Sequence, residues 1–522
     1  MRAIRFVLAF VVGFVAWHDA RAGIDVNGDS FDDVVVGMPS ESVDGEPNVG
    51  AILVIPGSGT GLKQGSAQWI TPKDVGIGPL DVQKGFGERL AAGDFDGDGF
   101  DDVAIGCPAY SVAGKKKAGL VVVLRGGPSG LRTSGVKKWS QASPGIADKP
   151  DSEESPKDSL ENFGRDLVAA DFDGDGRSDL AIGVAESFTP FHEKSGAVHM
   201  LFGSKKGLRS ARSRFLHFGV KGVPGSLGVY DDPNGADWTR FGTSLAATDV
   251  DGDGRSELVV GTKMPYDADT FDCALVFKGA KKGIDTASVQ VVPYDGDASS
   301  VHESLGTPNL FVADLDADGF GDLVFGCPEQ SAADELGAGT IHVFRGTAAG
   351  IDPTTHVQID RGLVAVDGLA VQGAQFGRAC VTGDFDGDGV PEFAVGAPGD
   401  PIAMHPSSGS VHHFSTGPAL VSTTGDFTIT QEDPGIGGMA FDVEQFGLQL
   451  ATGDYDGDGF EDLVIAVPGE NVGGGAYAGV AHVIYGSAMG LDLAGSQLLS
   501  QIDLLASDGP EPGDRFGAVL AR

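Results

Sequence analysis

A nine-residue stretch of alternating acids and glycines recurs seven times, and it holds the residues best suited to chemistry. In the copy Asp94-Phe95-Asp96-Gly97-Asp98-Gly99-Phe100-Asp101-Asp102 the defining acids stand at positions 1, 3, 5 and 9. Glycines at 4 and 6 permit the positive φ of a tight, oxygen-lined turn. Alternating carboxylates plus one backbone carbonyl can supply the six to eight oxygens that a hard cation such as Ca2+ takes. The loops contain no His or Cys that would favour zinc. An EF-hand places its last ligand at position 12 and then enters a helix. Here the last acid is at 9, and a β-type run, Val103-Ala104-Ile105-Gly106, follows at once. The loop is therefore expected to be a metal-clasped turn between two strands, with a structural role.

The seven copies begin at Asp25, Asp94, Asp171, Asp249, Asp314, Asp384 and Asp454, with spacings of 65 to 78 residues. A near-fixed period signals a repeat architecture. Each period carries the same elements. A Phe-Gly pair stands eight residues before the loop: Phe86-Gly87, Phe163-Gly164, Phe241-Gly242, Phe376-Gly377 and Phe446-Gly447. A short strand such as Arg89-Leu90-Ala91-Ala92 joins the pair to the loop. The strand after the loop ends in Gly-x-Pro, as in Gly106-Cys107-Pro108 and Gly396-Ala397-Pro398. A third strand (Val198-His199-Met200-Leu201-Phe202) and a weaker fourth (Gln68-Trp69-Ile70) complete the unit. Four antiparallel strands repeated seven times predict an all-β, seven-bladed β-propeller of four-stranded blades over residues 23–522. The first copy has no room for its inner strand, whereas Phe516-Gly517-Ala518-Val519-Leu520-Ala521-Arg522 is an inner strand with no loop after it. The C-terminal strand is thus expected to complete the first blade and close the ring.

Composition agrees with many short strands and turns: 41% hydrophobic residues, 82 glycines and 27 prolines. Residues 1–22 differ from the rest. Arg2 and Arg5 flank an uncharged run from Phe6 to Trp17, and Ala20-Arg21-Ala22 suits cleavage. This predicts a secretory signal peptide, too short in its apolar part to span a bilayer. The mature chain is expected to be secreted, extracellular or periplasmic, without a membrane span. A formal charge of −38 argues against nucleic acid as a partner. The four cysteines, Cys107, Cys273, Cys327 and Cys380, show no disulfide spacing and are expected as small buried thiols.

With Phe-Gly, the acidic loop and Gly-Ala-Pro in register, the chain resembles the FG-GAP repeat family, whose best-known members are the N-terminal propellers of integrin α subunits. The resemblance implies structural Ca2+, up to seven ions, on one face, and an extracellular protein or glycan ligand on the opposite face. Blade by blade, it implies these ligands: Asp25, Asn27, Asp29 and Asp33; Asp94, Asp96, Asp98 and Asp102; Asp171, Asp173, Asp175 and Asp179. The next two sets are Asp249, Asp251, Asp253 and Glu257, and Asp314, Asp316, Asp318 and Asp322. The last are Asp384, Asp386, Asp388 and Glu392, and Asp454, Asp456, Asp458 and Asp462. Position 7 (Phe31, Phe100, Arg177, Arg255, Phe320, Val390, Phe460) would offer its carbonyl. Blade five departs, with Leu305-Gly306 for Phe-Gly, Ala317 for the first loop glycine, and an expected bulge near Pro308. No further domain follows in this sequence, so integrin signalling is not implied.

The ligand surface is expected in the variable loops of the opposite face, including 40–48, 109–117, 186–194, 263–270, 329–336 and 399–408. Their aromatics, and those of the loops before each Phe-Gly, include Tyr110, Phe188, Phe191, Tyr230, Trp238 and Tyr266; they could stack on sugars or anchor a protein, while packing within the loop is the expected role of any single one. His412-His413 lies in a third strand, where neighbours face opposite sides and make a poor metal site. No catalytic motif is present. The expected function is a secreted, monomeric, Ca2+-binding adhesion or binding module. The alternative is an extracellular carbohydrate-active enzyme, lyase- or hydrolase-like, on the same scaffold. His, Arg, Tyr and acids converging at the central mouth would favour it.

Overall fold

A computed structural model describes residues 23–521, apart from 79–84, 148–160, 186–194, 225–239, 267–268, 295–308, 333–334, 361–369, 439, 474 and 505–510. The signal peptide, Leu305-Gly306, the expected bulge near Pro308 and four of the six aromatics (Phe188, Phe191, Tyr230 and Trp238) lie outside the described residues.

Seven four-stranded antiparallel sheets succeed one another along the chain. The second is typical: Arg89–Gly93, Asp102–Cys107, Leu120–Arg125 and Arg132–Trp139, in that spatial order. The second strand of each blade is an apolar run buried on both faces, which explains its lack of alternation. The outer strand is polar and exposed on much of its length, as in Arg132–Trp139. In the first blade Val519–Leu520 pairs with Val34–Met38, in the register Val36↔Leu520 and Gly37↔Val519. The ring closes as the sequence predicts.

The hydrophobic core is not one body but seven, each lying between two successive blades. One contains Val26, Val35 and Ile52 of the first blade with Val103, Ile105 and Val122 of the second. The last joins Val464, Ala481 and Val483 of the seventh to Val34, Leu53 and Ile55 of the first. The Phe-Gly motif works at these joints. Phe86, Phe163, Phe241 and Phe446 each bridge the glycine that opens the third strand of the preceding blade (Gly50, Gly119, Gly196, Gly409). The six described Phe-Gly rings, from Phe86 to Phe516, are at most 1% exposed. A Cβ on Gly50 would sit 2.3 Å from the Phe86 carbonyl oxygen. A side chain there would push the blades apart.

One expectation needs correction. The loops after Gly-x-Pro are not structurally variable: five share one bridge, Val43↔Glu46, Val112↔Lys115, Ala332↔Glu335, Ile402↔His405 and Val472↔Gly475. Tyr110 packs against the core between blades one and two, the packing role expected of any single loop aromatic. None of the four cysteines is in a disulfide, and all are buried. His412 and His413 diverge: His412 meets Ser410 and Thr428, while His413 stacks on Phe427.

Candidate metal centres and the channel mouth

The first and ninth residues of each loop organise its backbone. In blade two the Asp94 carboxylate accepts from the N–H groups of Gly97 (2.7 Å), Asp98 (3.2 Å) and Gly99 (2.9 Å). Asp25, Asp171 and Asp249 cap their loops in the same three-donor way. The ninth residue accepts from a glycine just past the third strand: Asp33 from Gly57 (3.0 Å), Asp102 from Gly126 (3.0 Å), Asp179 from Gly203 (2.8 Å), Asp322 from Gly346 (2.7 Å) and Asp462 from Gly486 (2.9 Å). Glu257 reaches Gly279 (3.1 Å) despite its longer arm, and Glu392 accepts from Phe385 (2.8 Å).

Positions 1, 3 and 9 converge. Ligand oxygens lie within 4.8 Å of one another in Asp94/Asp96/Asp102, Asp171/Asp173/Asp179, Asp249/Asp251/Glu257, Asp314/Asp316/Asp322 and Asp384/Asp386/Glu392. The position-5 acids stand outside these groups. Asp29, Asp98, Asp253, Asp318, Asp388 and Asp458 each accept, through Oδ1, from the N–H of position 7. Arg177 and Arg255, at position 7, also pair with Asp175 and Asp253. In blade one Asn27 donates weakly to Asp33, at 3.3 Å.

Do these residues fit a hard cation? Asp96 Oδ1, Asp102 Oδ2, Asp173 Oδ1, Asp179 Oδ2, Asp251 Oδ1 and Asp384 Oδ1 are buried and accept no hydrogen bond. Buried oxygens left without a partner are costly, and here they belong to converging carboxylates. Burial, reinforced by the neighbouring loop acids, pushes the carboxyls of Asp102, Asp179 and Asp462 up to about 8. Those of Asp33, Glu257, Asp322 and Glu392 rise to about 7 for the same reasons. The oxygen-only donor set and the lone oxygens suit Ca2+.

A feature invisible in the loop motif stands beside it. Basic side chains hold the position-3 acid in four blades, three from the end of the third strand and one, Arg212, from the outer strand: Arg125 on Asp96 (2.5 Å), Arg212 on Asp173, Lys278 on Asp251 (2.6 Å) and Arg345 on Asp316. In blades two to four the cation takes Oδ2 and leaves Oδ1 free and buried. Such contacts fix the orientation of a ligating carboxylate. Only the residue before the strand-three glycine hints at it (Arg125-Gly126, Lys278-Gly279, Arg345-Gly346).

The loops also rivet neighbouring blades. The position-8 N–H donates to the position-1 carbonyl of the preceding loop: Asp101 to Asp25 (2.9 Å), Ser178 to Asp94, Ser256 to Asp171, Gly321 to Asp249 and Glu461 to Asp384. Asp32 donates to Asp454 (3.1 Å) across the closure, and its carboxylate accepts from the Asp454 N–H (2.9 Å). The position-7 side chain lies over the position-4 glycine of the loop before. A Cβ on Gly28 would come within 2.5 Å of Phe100, and one on Gly457 within 2.3 Å of Phe31.

At the other end of the inner strands a central cavity of about 490 Å³ opens. Its rim holds Arg89, Asp166, Ser244, Asn309, Arg378 and Gln449, above apolar rings that include Leu90, Leu167 and Leu245. Glu88 pairs with Arg165 (3.2 Å), and Asp166 accepts from the Leu245 N–H (2.7 Å) with Arg89 at 3.9 Å. Burial, then the facing Arg89, lowers the Arg378 guanidinium from its ordinary range.

The FG-GAP repeat matches residues 16–55, 86–124, 163–200, 241–271, 376–414 and 446–484. The unmatched interval is blade five, where Phe-Gly and the first loop glycine are replaced. Phosphatidylinositol-glycan-specific phospholipase D of Rattus norvegicus is 33% identical over 175 residues, 33% of this chain and 20% of that protein. Its counterpart in Dictyostelium discoideum is 22% identical over 498 residues, 85% of this chain and 48% of that protein. Integrin alpha-PS2 of Drosophila melanogaster is 28% identical over 243 residues, 45% of this chain and 15% of that protein. The chain spans less than half the length of these relatives. Among solved structures, rhamnogalacturonan lyase YesW covers 83% of each chain at 12% identity, with a TM-score of only 0.34. Six matched repeats on a seven-bladed propeller, with the acidic loops in register, make this chain an FG-GAP repeat protein.

Proposed function

We propose that this chain is a secreted, Ca2+-stabilised propeller that binds an extracellular partner on the face opposite its acidic loops. One observation carries the choice of face. Of the large apolar side chains exposed among the described residues, Leu336, Met404, Phe441, Val443 and Tyr477 stand in the loops at that end of blades five to seven. These loops are tied together, Val443 N–H to the Pro406 carbonyl and Gly373 N–H to that of Leu336. An exposed apolar arc of this kind marks an interaction site. It favours a protein ligand over a glycan. The test is retention of extracellular proteins and glycans with Ca2+ present, comparing the parent with Met404→Asp and Phe441→Asp. Unchanged retention would remove the proposed face. The second reading, a carbohydrate-active enzyme, rests on the arginines and carboxylates at the mouth, and turnover should be assayed beside retention.

The ions belong to the stability of the ring. Positions 1, 3 and 9 would hold Ca2+, with the position-7 carbonyl and the position-5 acid completing the shell. At a Kd of ~10⁻⁴ M and ~1 mM Ca2+, each site adds about 1.4 kcal/mol, and seven add on the order of 10 kcal/mol. A chelator is expected to lower the melting temperature sharply; an unchanged melt would overturn the assignment. The proposal further holds that residues 1–22 are removed on export, leaving Gly23 first, and that the propeller is monomeric. N-terminal sequencing and light scattering of the exported protein check both. No helix among the described residues is long and apolar enough to cross a membrane.

A further inference from the structure

We propose that the mouth of the central channel takes the carboxylate of an Asp or Glu side chain presented by a protein partner, with Arg378 as its principal contact. The inference narrows the ligand-binding reading above and depends on it. Three arginines gather at the mouth, from blades two, three and six, in a chain whose formal charge is −38. Two have acidic neighbours: Arg165 pairs with Glu88, and Arg89 lies 3.9 Å from Asp166. Arg378 lines the cavity, and no described group makes a hydrogen bond or ion pair with its guanidinium. Its carbonyl is occupied, accepting from Asn309 Nδ2 (2.9 Å), so the backbone beneath it is held in place.

Among the described residues the rim therefore carries three arginines against two paired acids, Glu88 and Asp166. The surplus of one matches a carboxylate better than a phosphate dianion. Glu329 acts on Arg378 as a third acid but is itself exposed, so water screens it. Arg378 and Arg165 are both shifted down, first by burial and then by Arg89, so the three cations repel one another across the opening. An incoming carboxylate relieves that repulsion and meets a guanidinium with its donors unused.

The neighbourhood argues for a protein carrier. Arg378 follows Gln375, whose N–H donates to the Gly337 carbonyl, next to exposed Leu336. The apolar arc of blades five to seven thus adjoins the mouth. A loop with one acid between apolar residues would cover the arc while its carboxylate enters the channel. An acidic polymer would be repelled by the charge of the chain as a whole.

The test uses the full exported chain in 1 mM CaCl2. N-acetyl-Leu-Glu-Leu-amide, the same peptide with Gln for Glu, D-glucuronate and inorganic phosphate are compared by saturation-transfer NMR and calorimetry. The Glu peptide should bind at least about tenfold more tightly than the Gln peptide. Arg378→Ala should abolish that difference and Arg378→Lys should retain part of it, with melting temperatures equal to the parent's. Equal binding of the Glu and Gln peptides, or a preference that survives Arg378→Ala, overturns the proposal. Glucuronate binding as tight as the Glu peptide assigns the mouth to a sugar acid and overturns it too. If Met404→Asp lowers partner retention while Arg378→Ala does not, the binding face stands and this inference fails alone.

Discussion

The joint between blades five and six differs from the joint between blades seven and one. At the latter, Phe31 lies over Gly457 and the Asp32 N–H reaches the Asp454 carbonyl. At the former, the glycine is Ala317, the covering residue is Val390, and position 8 is Pro391, which has no N–H to donate. These departures belong together. Ala317 holds φ of +54°, so the loop keeps its turn. Its extra methyl coincides with Val390, a shorter side chain than Phe or Arg, at position 7 of the next loop. The lesson is that each acidic loop is built by two blades. The position-4 glycine answers to the next blade's position-7 side chain as well as to its own φ.

This contrast is open to direct attack. Gly457→Ala should cost about 2–3 kcal/mol, through positive φ and the collision with Phe31, whereas Ala317→Gly should change stability by less than about 1 kcal/mol. Equal effects in chemical denaturation would dissolve the distinction. Next, Val390→Phe should destabilise by about 2 kcal/mol and be rescued by Ala317→Gly, with a coupling energy of at least about 1 kcal/mol in a double-mutant cycle. Additive effects would show that the two positions do not meet.

A third test compares blades at one register of the third strand. Leu53, Val122 and Leu275 stand there in blades one, two and four, whereas His199, His342, His412 and His482 stand there in the others. Burial holds His199 neutral down to about 3, helped by nearby His217, and His482 down to about 4. In the unfolded chain both protonate near 6.5. Their neutral burial is therefore fully compatible with folding above pH 6.5, and stability is lost as pH falls towards 3–4. His199→Leu should make the melting temperature less sensitive to acid between pH 6.5 and 4. A slope equal to the parent's would refute that origin. The smallest effect is expected of Pro391→Ala, below about 1 kcal/mol. Its new amide should be protected from hydrogen exchange if it reaches the Asp314 carbonyl as its counterparts do.

Blade number, strand order and ring closure were legible because period, turn chemistry and apolar runs agree at every level. So were the convergent acids at positions 1, 3 and 9. The hydrogen bonds by which position-5 acids such as Asp98 and Asp253 hold the position-7 N–H groups were not, because the loop motif marks both simply as acids in register. Nor was the basic clamp on Asp96, Asp173, Asp251 and Asp316, since those cations lie 27 to 39 residues away in sequence and meet the loop through the sheet. The charge balance of the mouth was equally hidden: Arg89, Arg165 and Arg378 come from three blades and share one site only once the ring exists.

The seam at Asp32 and Asp454 spans 422 residues, and the strand that completes blade one comes later still. As the chain is synthesised, the first sheet begun is therefore the last one finished. Until then Val34, Val36 and Leu53, on the flank awaiting blade seven, have no partner surface. A ring of this kind keeps one sticky side through nearly the whole of its own making. Truncation of the final strand should for that reason damage the start of the protein more than its end.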